Sequence, residues 1–320
     1  MSKTSKLWLI LAAFLLAVGL LLFAGVMAAY NWDFTKLSTA SYQTNTHVLS
    51  DAFENISLTT QTADVVFVPS NEAGCRVVCH EREAVKHTVM VQNGTLTIRQ
   101  VDARKWYDYI GIITDTPKIT VYVPETDYQT LAIEGDTGDI EIPEGLQFAS
   151  LAISVSTGDV TNRAPISGDV NIHTSTGDIR VEGVSVGTLD LSVSTGMVAV
   201  CDVTCRGDAK IGVSTGEASV TDVSCNQFAS QGNTGDICLK NVRAAGKCSV
   251  ERSTGDVRFD GCDANTLFVK TDTGDVSGTL LSEKVFVTQT DTGRVQVPKT
   301  TAGGLCEITT DTGDIKITLR

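Results

Sequence analysis

The sequence predicts an all-β protein: a parallel β-solenoid of about ten coils, each 19–20 residues long, behind an N-terminal β cap and preceded by one transmembrane helix. Three observations carry this. A Thr-Gly pair recurs at near-constant spacing, apolar residues alternate on both sides of each pair, and the chain begins with a long uncharged run.

The uncharged run comes first. Leu7 to Ala29 holds 23 residues without a charge. As a helix at about 1.5 Å per residue it spans roughly 34 Å, enough to cross a ~30 Å hydrocarbon layer. Trp8 stands at one end and Tyr30 and Trp32 at the other, as interfacial aromatics do. Lys3 and Lys6 precede the run, while Asp33 and Lys36 nearly cancel after it. The positive-inside rule then places the N-terminus in the cytoplasm and everything after Tyr30 outside the cell membrane. The rival is a cleaved signal peptide with Val26-Met27-Ala28 at its cleavage site, but the run exceeds the usual apolar length of such a peptide. No Cys lies near its end, so a lipoprotein anchor is not indicated. Residues 1–36 form this first unit, and the lipid bilayer is its expected partner.

Composition bounds the rest. The 320 residues carry 38 acidic and 25 basic side chains, a net charge of −13, and 42% are apolar. That apolar content excludes a disordered chain, and the acidic balance argues against nucleic-acid binding, which needs a basic face. There are 28 Gly without a Gly-X-Y period, which excludes collagen.

Residues 37–130 read as the N-terminal cap and first irregular coils. Phe53 to Leu58 leads into Ala63 to Pro69, and Asn93-Gly94 joins two alternating segments, a strong hairpin signal. Lys118 to Pro124 is a further strand. Such a cap covers a sheet edge that would otherwise invite aggregation.

Residues 131–320 are the regular repeat. The Thr-Gly pair ends at Gly138, Gly158, Gly177, Gly196, Gly216, Gly235, Gly255, Gly274, Gly293 and Gly313, always 19 or 20 residues apart. Two places after each Gly the residue is apolar, as at Ile140, Val160 and Ile315; five and seven places before it apolar residues prevail, as at Ile133 and Leu131. Period two on both sides means two half-buried strands around a Thr-Gly turn. One such unit cannot bury its apolar side alone, but stacked units can, and ten at about 4.8 Å make a rod of roughly 48 Å. Propeller blades need about twice this period. An up-and-down barrel shares the spacing but not the identical phase of every copy. The chain stops in Ile315–Arg320 without an evident cap, so Lys316 and Arg320 are expected to guard the last edge.

The segments ENISLTTQTADVVFVPS, VQNGTLTI and ITVYVP, followed by the STGDV and DTGDI turns, resemble the bacterial "putative adhesin" family of domains of unknown function over about residues 45–320. The resemblance implies a β-solenoid, often membrane-tethered and in some members beside envelope-stress regulators, with no catalytic residues.

Candidate sites are weighed against turn and core roles. In the Thr-Gly-Asp corner, Gly permits positive φ and Asp or Ser can bond local backbone. The rival is a calcium-holding acidic edge at Asp136, Asp139, Asp272, Asp275, Asp311 and Asp314, where a hard cation would relieve stacked carboxylates. Met197, Glu217 and Arg294 interrupt that row, which favours the turn role. Asp-Thr-Gly also occurs in aspartic proteases, but here it stands in register with plain Ser-Thr-Gly turns. His173 lies on an outward column between Ser154 and Ser192, with no carboxylate placed to orient it. Cys75 to His80 looks like a haem or zinc half-site, but three residues separate the cysteines, and alternation puts Cys75 and Cys79 on one strand face. Nine cysteines include Cys248, Cys262 and Cys306 at inner positions, while Cys205 and Cys225 are expected side by side on adjacent coils at a spacing compatible with a disulfide.

The expectation is therefore a non-enzymatic, membrane-tethered binding or structural module of the cell envelope, without cofactor or metal. Its partner would be an envelope protein or surface glycan. The alternatives are a polysaccharide-acting β-helix enzyme and a calcium-dependent surface protein.

Overall fold

The computed structural model describes residues 3–33, 41–72, 74–105 and 115–320. Lys36, counted above among the flanking charges, lies outside the described residues. Helix α1 (Lys3–Ala29) contains the predicted span, and Ser5–Ala29 is long and apolar enough to cross a membrane. It ends where Asn31 and Trp32 take positive φ and the Trp32 N–H donates to the Met27 carbonyl at 2.8 Å, a left-handed C-terminal cap.

The rest is strand. The cap region holds β1 (Tyr42–Leu49), β2 (Asn55–Thr62), β3 (Asp64–Ser70), β4 (Cys75–Arg82), β5 (Val85–Gln92), β6 (Thr95–Asp102) and β7 (Lys118–Pro124). The coils follow as β8 (Asp127–Thr137), β9 (Ile140–Ile142), β10 (Gln147–Thr157), β11 (Val160–Asn162), β12 (Ile166–Thr176), β13 (Ile179–Thr195), β14 (Val198–Cys205), β15 (Ala209–Thr215), β16 (Ala218–Cys225), β17 (Phe228–Thr234), β18 (Ile237–Lys240) and β19 (Arg243–Thr254). The last are β20 (Val257–Thr273), β21 (Val276–Leu280), β22 (Lys284–Thr292), β23 (Val295–Gln296), β24 (Gly304–Thr312) and β25 (Ile315–Leu319).

The coils stack as a parallel β-solenoid. Thr157 pairs with Thr137 on one side and Thr176 on the other, and the corner threonines stack in one row. Alternation then aligns the apolar residues into inner columns: Ile133, Ile153, Ile172, Leu191 and Ile211 are all buried. At the corners the backbone turns through a conformation that only Gly adopts readily, with φ of 131° at Gly216. A Cβ there would collide with the carbonyl oxygen of Gly196 in the neighbouring coil. Two constraints, dihedral and contact, therefore select Gly at each corner. Buried Thr174, Thr271 and Thr310 donate their hydroxyls to the carbonyls of Gly158, Gly255 and Gly274, satisfying acceptors that the turn leaves over.

Axial order departs from chain order at both ends. The β2–β3 coil lies between β6–β7 on its outer side and β8–β9 on its inner side. Beyond β6 and β7 the direction reverses: β5 runs antiparallel to β6, β4 antiparallel to β7, and β1 antiparallel to β4. The Asn93-Gly94 hairpin expected from sequence joins β5 to β6, with both residues at positive φ. At the other end β24 and β25 insert between β20–β21 and β22–β23. The final strand is therefore paired on both sides at Ile315 and Lys316, so Lys316 does not guard the edge, whereas Ile317 to Arg320 bond only toward β21. The reason is composition. The copies around Gly313 and Gly293 differ inward chiefly at one place: Ile308 is buried in the first where the second has Thr288, while Thr310 and Thr290 match. Placing the more apolar copy between two neighbours buries more apolar surface. The terminal coil carries the edge protection instead: a two-residue β23, Arg294, Pro298 and Lys299.

Candidate functional site

The corner row has a backbone role. Oδ1 of Asp64 accepts the Asp139 N–H at 3.0 Å, Asp139 accepts from Asp159 at 2.9 Å, Asp159 from Asp178 at 2.8 Å, and Asp178 from Met197 at 2.8 Å. Met197 and Glu217 interrupt the ladder, which resumes from Asp236 through Asp256 and Asp275 to Asp314. It ends at Arg294, whose N–H donates to Asp314 Oδ1 at 2.8 Å and whose guanidinium reaches Oδ2 at 2.8 Å. The Arg294 backbone and side-chain donors hold the Asp314 carboxyl below the usual range. One oxygen of each laddered Asp is thus bound within the fold. Asp136, Asp272 and Asp311 stand exposed two residues before their corner glycines, alongside laddered Asp139, Asp275 and Asp314. The ladder begins at Asp64, which sequence reading missed because Ala63 stands where the other coils have Gly.

On the lateral face His173 Nδ1 lies 2.8 Å from Ser192 Oγ. Among the described residues no carboxylate bonds the other ring nitrogen, so the pair lacks the third member that orients a catalytic base. A groove of about 830 Å³ opens near the C-terminal end, lined in part by Arg243, Asp263, Asn265, Ser282 and Lys284. Lys284 is only 3% exposed; its ammonium donates to Asp263 Oδ1 at 2.9 Å and to Ser282 Oγ. Ser282 in turn donates to Asp263 at 2.6 Å. Burial raises the Asp263 pKa, but the Ser282 and Lys284 bonds outweigh it and leave the carboxyl below its ordinary value. With Lys284 donating to both neighbours, no basic lone pair faces Ser282. A second groove, about 660 Å³, runs beside Tyr128, Phe148, Ser167 and Arg206.

Cys205 and Cys225 do come to matching places on neighbouring coils, next to the Thr204–Ser224 pair, and both are free thiols. In-register parallel strands hold equivalent Cβ atoms at about the 4.8 Å strand spacing, wider than the ~3.8 Å typical of a disulfide. Burial pushes the Cys205 thiol up to about 11 and Cys225 to about 12.

In the cap, Cys75 and Cys79 face inward as alternation predicts, while His80 faces out, 2.8 Å from Asp115. The structure brings a different set to Cys79. His87 Nδ1 lies 2.7 Å from Glu81 Oε2, which also accepts the His87 backbone N–H at 2.6 Å. Asn45 Nδ2 donates to Glu81 Oε1 at 2.7 Å, and Thr60 Oγ1 stands 3.1 Å from His87 Nε2. Glu81 and His87 are 1% and 4% exposed. Burial, and then the Glu81 carboxylate, raise the Cys79 thiol to about 12. Only strand parity, odd positions inward on both β4 and β5, could have signalled this grouping.

The family's sequence profile matches residues 53–214 and again 207–320, covering the cap from β2 onward and all ten corners. The chain belongs to the Toastrack DUF4097 family. Toastrack is a β-solenoid fold, in agreement with the stacked coils. Solved structures also resemble it. A putative adhesin from Parabacteroides merdae aligns with 75% of this chain and 97% of its own, at 14% identity and a TM-score of 0.49. A putative lipid binding protein from Parabacteroides distasonis aligns with 88% of this chain and 98% of its own, at 16% identity and a TM-score of 0.48. A putative adhesin from the same species gives 86% and 97%, at 9% identity and 0.45. Comparison with curated proteins returns no match.

Proposed function

We propose that this Toastrack protein is a membrane-tethered, extracytoplasmic binding or scaffolding module of the cell envelope, without catalytic activity of its own. The observation that carries this reading is the division of labour in the repeat. Corner glycines, threonines and laddered aspartates are occupied by stacking, the inner columns by packing, and what remains is a long outward surface with polar grooves. Helix α1 supports tethering, since its most apolar window is buried nowhere in the protein. The Ser192–His173 pair without a carboxylate, and the Ser282–Lys284–Asp263 ion network, support binding over catalysis. The ligand class is an envelope protein or surface glycan, held along the lateral columns or in the groove beside Arg243 and Lys284.

Labelling tests the location. Cys201 is exposed on an outward column. In intact cells a membrane-impermeant maleimide should label the full chain, and Cys201→Ser should remove most of that label. Labelling only after lysis would contradict the proposal. Incubation with envelope glycans should give retention without cleavage; turnover would overthrow the non-enzymatic part.

A further inference from the structure

The cap holds a cluster that neither the stacking nor the proposed function uses. Cys79 and Glu81 stand two apart on β4, so both point inward, and the short turn after β4 returns His87 on β5 to the same place. Their ligand atoms lie within 4.8 Å of one another, and all three side chains are buried. A thiolate, a carboxylate and an imidazole around one point are the donor set of a zinc-type ion. Bonds of about 2.0–2.3 Å to a common centre place tetrahedral ligands about 3.3–3.8 Å apart. Nδ1 and Oε2, now 2.7 Å apart, must therefore open by about 0.6 Å while Sγ closes toward them from within 4.8 Å.

The surrounding hydrogen bonds present these ligands in usable form. Gln100 Oε1 accepts the Gln61 backbone N–H at 2.7 Å, which fixes it as an acceptor, and it takes the Thr60 hydroxyl proton at 3.1 Å. Thr60 Oγ1 is then left to accept from His87 Nε2–H, which turns Nδ1 toward Glu81 and Cys79. Asn45 holds the other Glu81 oxygen. Outer partners of this kind fix ring orientation and carboxylate geometry at metal sites.

We propose that Cys79, Glu81 and His87 form a binding site for one divalent transition-metal ion of the zinc type. Nδ1, a Glu81 oxygen and Sγ serve as ligands, leaving a fourth position for water. The charges balance. The metal-free cluster holds a thiol and one proton between His87 Nδ1 and Glu81 Oε2, net zero whichever of the two carries it. The loaded site holds thiolate, carboxylate, neutral imidazole and a dication, again net zero, with two protons released to solvent. The ion takes the place of the proton between Nδ1 and Oε2 and of the thiol proton, so the buried site gains no charge. It would tie β4 to β5 at the end of the solenoid that faces α1 in the chain.

The test uses the full chain in detergent micelles, in a Cys201→Ser, Cys238→Ser background that removes the more accessible thiols. Co(II) is titrated as the spectroscopic probe, followed by Zn(II) in competition. The proposal predicts one equivalent of Co(II) with a thiolate-to-metal charge-transfer band, displaced by Zn(II). Cys79→Ser should abolish the band. Glu81→Gln, which keeps size and most hydrogen bonding, should weaken binding at least tenfold while far-ultraviolet circular dichroism stays unchanged. Thr60→Val should weaken binding about 10–100-fold. No band at one equivalent, or a band that survives Cys79→Ser, would overturn the proposal and leave a hydrogen-bonded network only.

Discussion

The backbone N–H of Asp314 donates to Oδ1 of Asp275 at 2.7 Å, across 39 residues, whereas every other step of the ladder between aspartates spans 19 or 20 apart from the first, Asp64 to Asp139. This one bond records that the last coil of the chain is the penultimate coil of the rod. Both ends of the solenoid are built by such a skip, and at each the inserted coil is sandwiched by neighbours on both faces.

The ladder makes a stability prediction. Asp159→Ala removes the acceptor for the Asp178 N–H and should lower urea-unfolding stability by about 1 kcal/mol. Asp159→Asn keeps an oxygen there and should stay within about 0.5 kcal/mol of wild type. Met197→Asn restores an acceptor at the interruption before Glu217 and should raise stability by about 0.5–1 kcal/mol.

Edge protection is testable by removal. Arg294→Thr, Pro298→Val and Lys299→Thr together expose a flat terminal coil beside the exposed Val287 and Val295. Light scattering after size-exclusion chromatography should show concentration-dependent association of this triple variant. Lys316→Thr, on a stretch paired on both sides, should leave the oligomeric state unaltered.

The buried ammonium of Lys284 sets an acid limb. Asp263 has a depressed folded pKa, so its contribution is present above the unfolded value of about 3.9 and is withdrawn as pH falls through the lower folded value. Lys284→Met removes one lowering interaction. Its stability deficit against wild type, followed by urea unfolding, should therefore shrink as pH drops from 6 toward 3.

Thiol accessibility separates the cysteines. With Cys205 and Cys225 buried, free and raised, native alkylation should modify Cys201 first, and denaturation without reductant should yield Cys205 and Cys225 among the carbamidomethyl peptides. A tryptic peptide linking Cys205 to Cys225 would show that the coils close enough to bridge.

Most of the fold was legible because the repeat states the same constraint ten times: Gly at each corner, apolar residues at fixed offsets, period two between. What the repeat cannot state is axial order. A copy placed one coil further along obeys the same spacing, so the skip past Gly293 shows only in the polarity of Thr288, at a place where every other copy but the Ser230 one is aliphatic. The cap cluster was hidden for the opposite reason. Cys75, Cys79 and His80 drew attention by proximity in sequence, but strand alternation sends His80 outward and brings Glu81 and His87, which match no local motif, to Cys79.

Stacked corners are tested most directly by comparing alanine at two glycines, both of positive φ. Gly216 faces the carbonyl of Gly196, whereas Gly183, at φ 66°, has open space around its Cβ position. Urea unfolding should show Gly183→Ala losing about 1 kcal/mol and Gly216→Ala losing several times more or failing to fold. Equal, small losses at both positions would mean that the Thr-Gly corners do not lie one above another.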